Sequence, residues 1–283
     1  MIETIIAAII IMGSIGLILG VVIGFFARVF KVKSNALVEL VTELLPGANC
    51  GGCGKAGCAD FAKSVVEKEN PPGKCPVSSA EQISAIAMAI GVDAGKVERL
   101  QAVVRCAGDS NQLVRFINYN GVQDCASAVL VGGGPKGCRY GCIGLGSCAR
   151  HCPFGAIEIV NNIAVVHSEL CVGCGNCVAA CPRGVIALVR ADADVHVYCN
   201  SPEKGAVKRK VCDAGCIGCG KCKRYSEDKF ILDGSLARVN YEAETLPGPR
   251  DVAVIGCPTG VLRTREGQIF SETNEPEAGK NHE

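Results

Sequence analysis

An α+β chain behind a single N-terminal transmembrane helix is the fold class the sequence predicts, and three observations predict it. Residues Ile5 to Ala27 are 23 consecutive uncharged, mostly apolar residues. At ~1.5 Å per residue such a helix crosses a hydrocarbon core of ~30 Å. Two helix-period patterns follow, and from Cys138 onward short strand patterns alternate with glycine turns. Finally, many of the 20 cysteines recur in an internal repeat across the second half, the mark of one supersecondary unit used twice.

The apolar stretch begins after Met1-Ile2-Glu3-Thr4, and its cations Arg28, Lys31 and Lys33 come after it. A cleaved signal peptide has the opposite charge order. The positive-inside rule puts the bulk of the chain on the cytoplasmic side of the plasma (inner) membrane, a reducing side where thiols bind metals rather than form disulfides. Gly16, Gly20 and Gly24 share one face of that helix, the spacing that lets a partner membrane helix approach. Ionisable residues are absent from the span, so the span offers no intramembrane ion site of its own.

The expected domains are the anchor (1–28), a basic linker (29–34), a small helical four-cysteine domain (35–92) and a connecting segment (93–137). A first module (138–190), a second module (191–270) and a polar, disordered tail (271–283) complete the chain. In the helical domain Asn35 caps an amphipathic helix to Leu45, with Leu37, Leu40, Val41 and Leu44 on one face, and Pro46-Gly47 ends it. Ser78 and Glu81 form a capping box ahead of a helix that buries Ile83, Ile86 and Ile90. A net charge of +1 offers no electrostatic ground for nucleic-acid binding. With 5% aromatic residues, no Trp and 35 glycines, the chain is poor in large core side chains, and metal clusters are the expected staples.

Cys171-x2-Cys174-x2-Cys177-x3-Cys181-Pro182 has the bacterial ferredoxin spacing, in which three cysteines hold one four-iron cluster and the fourth serves a neighbouring one. The two modules are therefore expected to be tandem ferredoxin-like βαβ pseudo-repeats. Cys138-x3-Cys142-Ile-Gly-Leu145-Gly-Ser-Cys148 matches Cys212-x3-Cys216-Ile-Gly-Cys219-Gly-Lys-Cys222 at an offset of 74 residues, and Cys181-Pro182 matches Cys257-Pro258 at 76. The predicted ligand sets follow. Cys50, Cys53, Cys58 and Cys75 form a leading site, for which zinc is the alternative. Cys152 completes the set of Cys171, Cys174 and Cys177. Cys142, Cys148 and Cys181 lack one ligand at Leu145, for which Cys138 is the natural substitute, although another segment could supply it. Cys216, Cys219, Cys222 and Cys257 form a complete set.

The second module has Ser226, Pro247, Arg250 and Ala253 where the first has Cys152, Cys171, Cys174 and Cys177. One whole cluster is thus missing there while its fold remains. Cys106, Cys125, Cys199 and Cys212 are left over, as a dispersed fifth cluster or as buried thiols. Four to five 4Fe-4S clusters are expected, and five would use all 20 cysteines.

Lys204, Lys208, Arg209, Lys210, Lys221, Lys223 and Arg224, against Glu203 and Asp213, mark either a solvated face or a docking patch for an acidic redox partner. Gly132-x-Gly134-x-x-Gly137 matches the dinucleotide fingerprint, and Ala128 to Val131 before it could be a strand, but Cys138-Arg-Tyr-Gly-Cys142 follows instead of a phosphate-binding helix. His151 stands outside the ligand spacing, and no hydrolytic constellation is visible.

The run Leu44-Leu45-Pro46-Gly47-Ala48-Asn49-Cys50-Gly51-Gly52-Cys53-Gly54-x3-Cys58, then Cys142-Ile-Gly-Leu-Gly-Ser-Cys148-x3-Cys152-Pro-Phe-Gly-Ala-Ile157, then the ferredoxin run closely resembles the RnfB family of the Rnf complex in its longer form. That resemblance covers nearly the whole chain except the tail. It implies an electron-transfer subunit of an ion-translocating ferredoxin:NAD oxidoreductase, taking electrons from soluble ferredoxin and relaying them to membrane subunits. It also implies Na+ or H+ translocation by the complex and no NAD or flavin site on this chain. The rivals are a cluster-bearing arm of another oxidoreductase and a zinc-stapled interaction or redox-sensing protein, which visible absorption separates.

Overall fold

The computed structural model of the chain describes residues 2–29, 35–95, 97–110, 112–113 and 118–268. Linker residues 30–34 and the tail 271–283 lie outside the described residues. Helix α1 spans Ile2–Val29. Its Ile9–Phe26 stretch has a mean hydropathy of 2.7, none of it is buried, and among the described residues it is the one helix long and apolar enough to cross a membrane.

Helices α2 (Ala36–Leu44), α3 (Cys58–Val66) and α4 (Ala80–Ile90) pack around Val41, Leu45, Phe61, Val65 and Ile86. Asn35 caps α2 as expected, accepting the Leu37 N–H at 3.1 Å. The buried face is rotated from the expected one: Val41 and Leu45 point inward while Leu37 and Leu40 are each 43% exposed, because α2 meets its neighbours along Val38, Val41 and Leu45. The capping box falls one residue later than expected. Ser79 and Gln82 exchange the reciprocal bonds at 2.9 and 3.2 Å, while Ser78 turns inward and is 1% exposed. Ile83 and Ile86 are buried and Ile90 packs at the edge of the core.

Two units of the same element order follow. In the first, β1 (Leu100–Val104) pairs antiparallel with β4 (Ile186–Arg190). Between them come α5 (Cys125–Leu130), α6 (Ser147–Arg150), the hairpin β2–β3 (Ile157–Val160 and Ile163–Val166) and α7 (Asn176–Ala179). In the second, β5 (Val195–Val197) pairs antiparallel with β8 (Leu262–Thr264). They enclose α8 (Gly205–Arg209), α9 (Lys221–Tyr225), the hairpin β6–β7 (Phe230–Asp233 and Leu236–Val239) and α10 (Pro249–Ile255). The segment 93–137, expected as a connector, thus supplies β1 and α5 to the first unit. The residues before Gly132 form a helix rather than the strand considered for them, because the Asp124 carboxylate caps α5 through the Ser127 N–H at 2.9 Å; a short apolar run does not distinguish the two by periodicity.

Every sheet among the described residues has two strands, and an isolated strand pair is marginal in water. The cores are completed by the cysteines themselves. Cys106, Cys142, Cys148 and Cys177 sit in one core and Cys216 in the other. The hairpins lie tightly over the cysteine loops. A Cβ on Gly144, whose φ is +85°, would stand 2.1 Å from the Asn162 oxygen, and one on the equivalent Gly218 2.8 Å from the Ser235 oxygen.

Beside the four non-cysteine positions of the second unit stands a polar network. Asp251, 9% exposed, accepts from the Tyr225 hydroxyl at 2.7 Å, the Lys229 ammonium at 2.9 Å and the Gly248 N–H at 2.9 Å. It ties α10 to α9 where the first unit has cysteine loops. The Gly248 N–H and then Lys229 hold its carboxyl below the usual carboxylate range. A depressed folded value means the stabilisation is present above the unfolded value of about 3.9 and is lost as pH falls below it. Asp251→Ala should therefore cost the second unit about 2–3 kcal/mol, equally at pH 7 and pH 5.5, read from denaturant midpoints of the anaerobic protein. A loss confined to the higher pH would contradict this account.

Candidate iron–sulfur centres

Of the chain's 20 cysteines, 16 line four cavities in sets of four, and the other four lie in the second unit. Cys50, Cys53, Cys58 and Cys75 line one cavity between the α2 and α3 ends. Asn49 holds that loop closed, its side-chain oxygen accepting the Cys58 N–H at 2.8 Å. Cys152, Cys171, Cys174 and Cys177 line a second cavity. Here backbone N–H groups already point at sulfur, from Ala102 to Cys171 and from Ala156 to Cys152, each at 3.4 Å. Such bonds tune the potential of a thiolate-held cluster.

A third cavity is lined by Cys142, Cys148 and Cys181 together with Cys125. Spacing along the chain assigns the position left open by Leu145 to Cys138; the structure brings Cys125 there instead. Asp124 and Ser147 deliver it: the Cys125 N–H donates to the Ser147 hydroxyl at 2.8 Å, and that hydroxyl donates to Asp124 at 2.7 Å. Bonds from the Ser127 N–H and then the Ser147 hydroxyl hold the Asp124 carboxyl down to about 2. Cys138 faces a fourth cavity with Cys106, Cys199 and Cys212. The expected dispersed set thus exchanges Cys125 for Cys138. Cys216, Cys222 and Cys257 adjoin the second unit's core, and Cys219 beside them is exposed. Burial pushes the Cys257 thiol up, but bonds from the Leu262 and Thr259 N–H groups outweigh it and bring the thiol below its ordinary value.

The groups adjoin one another in a single order. A Cβ on Gly52 would touch the Cys174 Cα at 2.9 Å, so the leading loop lies against the second site. Cys148 is within electrostatic reach of Cys177, Cys142 of Cys106, and Cys199 of Cys216.

The donor set fits iron–sulfur clusters. All 20 cysteines are free thiols, and among the described residues no three His, Cys, Asp or Glu side chains converge closely enough for a single ion. A zinc site draws its sulfurs to ~2.3 Å from one centre, whereas these sulfurs surround cavities, as a cube of iron and sulfide requires. Without iron the two most strongly shifted of these buried thiols, Cys142 and Cys177, hold their protons. Burial, then the charge of Cys106, pushes Cys142 up to about 12, and burial, then Cys171, does the same for Cys177. Assembly therefore releases protons.

Of the seven expected docking cations, Lys204, Arg209, Lys210, Lys221, Lys223 and Arg224 are exposed. Lys208 is not: it is 2% exposed and its ammonium donates to the Ser235 carbonyl at 2.8 Å. A count of charges along the chain makes it one more surface cation, but it occupies the inward face of α8. His151 bonds the Ser147 carbonyl through Nδ1 at 2.8 Å.

Comparison with known proteins points to the same chemistry. Residues 45–77 match a family model described as an Fe-S cluster, and residues 138–185 match the 4Fe-4S dicluster domain. The chain therefore carries several 4Fe-4S clusters, whose electron chemistry its residues bind and orient. It is 41% identical over 265 residues, 93% of this chain and 99% of the relative, to the B-type subunit of the ion-translocating oxidoreductase complex of Methanosarcina acetivorans. It is 38% identical over 282 residues, 99% of this chain and 98% of the relative, to the B-type subunit of the proton-translocating ferredoxin:NAD(+) oxidoreductase complex of Clostridium ljungdahlii. A Na(+)-translocating counterpart in Acetobacterium woodii is 38% identical over 244 residues, 86% of this chain and 73% of the relative. With two iron–sulfur domain matches inside near full-length identity to such proteins, the chain belongs to the RnfB family, the iron–sulfur electron-transfer subunits of Rnf-type ion-translocating oxidoreductase complexes.

Proposed function

We propose that this chain is the membrane-anchored electron-transfer subunit of an Rnf-type complex. It accepts electrons from reduced ferredoxin and relays them to membrane subunits, for NAD reduction coupled to Na+ or H+ translocation. The observation that carries this reading is the ordered contact of cysteine sites, from the exposed Cys219 to the Cys50–Cys75 loop that follows the apolar helix.

In this reading the two units are tandem ferredoxin-like modules, the second with one cluster fewer. Four sites of ferredoxin type hold clusters: Cys50/Cys53/Cys58/Cys75, Cys152/Cys171/Cys174/Cys177, Cys125/Cys142/Cys148/Cys181 and Cys216/Cys219/Cys222/Cys257. Electrons arrive near Cys219, where Lys221, Lys223 and Arg224 are exposed, and leave through the Cys50 site beside the cytoplasmic membrane surface. The ion pathway, NAD and flavin belong to other subunits, and this chain has no substrate-converting site of its own. Gly16, Gly20 and Gly24, open along the anchor, face one of those subunits.

The intake end is tested by charge reversal. Lys221→Glu, Lys223→Glu and Arg224→Glu combined should slow oxidation of reduced ferredoxin by the assembled complex roughly tenfold or more at low salt, because steered encounters depend on complementary fields. The difference should shrink as the Debye length falls to about 3 Å near 1 M salt. Equal rates at low salt would remove this surface as the docking face, and a wild-type chain without redox-active iron would remove the whole reading.

A further inference from the structure

We propose that Cys106, Cys138, Cys199 and Cys212 hold a fifth four-iron cluster at the junction of the two units, built from equivalent residues of each. The proposal rests on the reading that the other four sites hold clusters, and it fills the interval that reading leaves between Cys142 and Cys216.

The two units contribute the same pair of thiols. Cys106 lies two residues beyond the end of β1 at Val104, and Cys199 two beyond the end of β5 at Val197. Cys138 stands four residues before Cys142, and Cys212 four before Cys216. The four converge on one cavity with Gly108, Gly141 and Lys208. Cys212 lies within electrostatic reach of the other three. The cavity's volume, about 30 Å³, is of the same order as the 10 and 20 Å³ of the two ferredoxin-type cavities of the first unit. A Cβ on Gly141 would stand 3.4 Å from the sulfurs of both Cys106 and Cys138, so the backbone there is as close to sulfur as a cluster loop requires.

Charge supports the same conclusion. A cluster held by four thiolates is anionic, and buried cations beside it offset that charge. Lys136 and Lys208 are 4% and 2% exposed. Lys136 lies within electrostatic reach of Cys106, and Lys208 of Cys199. They are anchored alike: the Lys136 ammonium donates to the Asn162 carbonyl and the Lys208 ammonium to that of Ser235. Asn162 and Ser235 are the residues immediately before β3 and β7. Each unit thus brings two sulfurs from equivalent places, and one buried cation anchored on the equivalent hairpin turn.

The test is additivity of iron loss in the full chain, produced anaerobically and read by iron content, Mössbauer and EPR spectra. The wild type should hold about 20 irons. Cys106→Ala and Cys199→Ala come from different units, yet each should remove the same four irons and the same cluster signal. The double variant should lose no more than either single one. Cys125→Ala combined with Cys199→Ala should lose eight, because those residues serve different clusters. Unchanged iron in Cys199→Ala, or eight irons lost in the Cys106/Cys199 pair, would overturn the proposal. Should the alanine variants fail to fold, the wild-type Mössbauer count decides: about 16 irons with the ferredoxin-type sites filled overturns the fifth cluster alone. Zinc in place of iron throughout would instead overturn the reading beneath it.

Discussion

Stripping iron from the purified protein under anaerobic, reducing conditions should abolish the cooperative unfolding of residues 97–268 and leave them open to proteolysis. The apolar burial of this region is thin. Its sheets are strand pairs, its helices run four to seven residues, and its cores are built around cysteines that must face a cluster. Without iron those thiols become small side chains lining voids, and each void forfeits contacts on one side. Small domains short of core depend on such staples, and binding free energy of the metal is then folding free energy. The expected result is loss of the thermal transition by circular dichroism, with α1 and part of the α2–α4 helicity retained. A stripped protein that melts at the same temperature as the loaded one would show that the polypeptide holds the fold unaided.

The second large effect is a single methyl group. Gly144→Ala places a Cβ 2.1 Å from the Asn162 oxygen at a backbone φ of +85°. The left-handed conformation alone costs a non-glycine residue about 1–2 kcal/mol. The overlap must in addition push the β2–β3 turn outward, away from Lys136, whose ammonium bonds that same carbonyl. Together the expected loss is about 3–5 kcal/mol, in the range that a strained, overpacked core position produces. Gly155→Ala is the internal control, since Gly155 has φ +62° with no atom within 4 Å of an added Cβ, and should lose only the conformational part. Equal destabilisation of the two variants, by anaerobic denaturation with iron content measured alongside, would show that the turn gives way freely.

Much of the site was legible because its chemistry is local. Three-residue cysteine steps place sulfurs around one point whatever the remainder of the chain does, and the 74-residue repeat revealed the module without its second cysteine set. The partner for Cys142, Cys148 and Cys181 was not legible, because spacing along the chain favours Cys138, four residues away, over Cys125, 17 away. What decides is an N-cap: Asp124 starts α5 and its bond to Ser147 carries Cys125 across. The signal was present in Asp124, an N-cap residue type whose carboxylate accepts the N–H three residues on, here that of Ser127. The sequence groups Cys106 with Cys199 among the left-over cysteines, but their equivalence across the repeat was hidden, since a longer connection in the first unit breaks the repeat offset. The strand that precedes each, Leu100–Val104 and Val195–Val197, is the register that matches them. Lys208 escaped for the opposite reason: counting charges along a helix ignores which side it buries.

On the proposed five-cluster reading, the order in which the cysteine sites adjoin one another makes the chain a series circuit. Five stations joined end to end have no parallel branch, so removing an interior one strands everything beyond it while leaving the nearer stations chargeable. Each break should therefore leave its own pattern of filled and empty stations when a reductant is supplied at one end. One joint is the contact of Gly52 with Cys174, where the leading cysteine loop meets the second site. A protein made this way moves current in one file, and its throughput is that of its slowest joint.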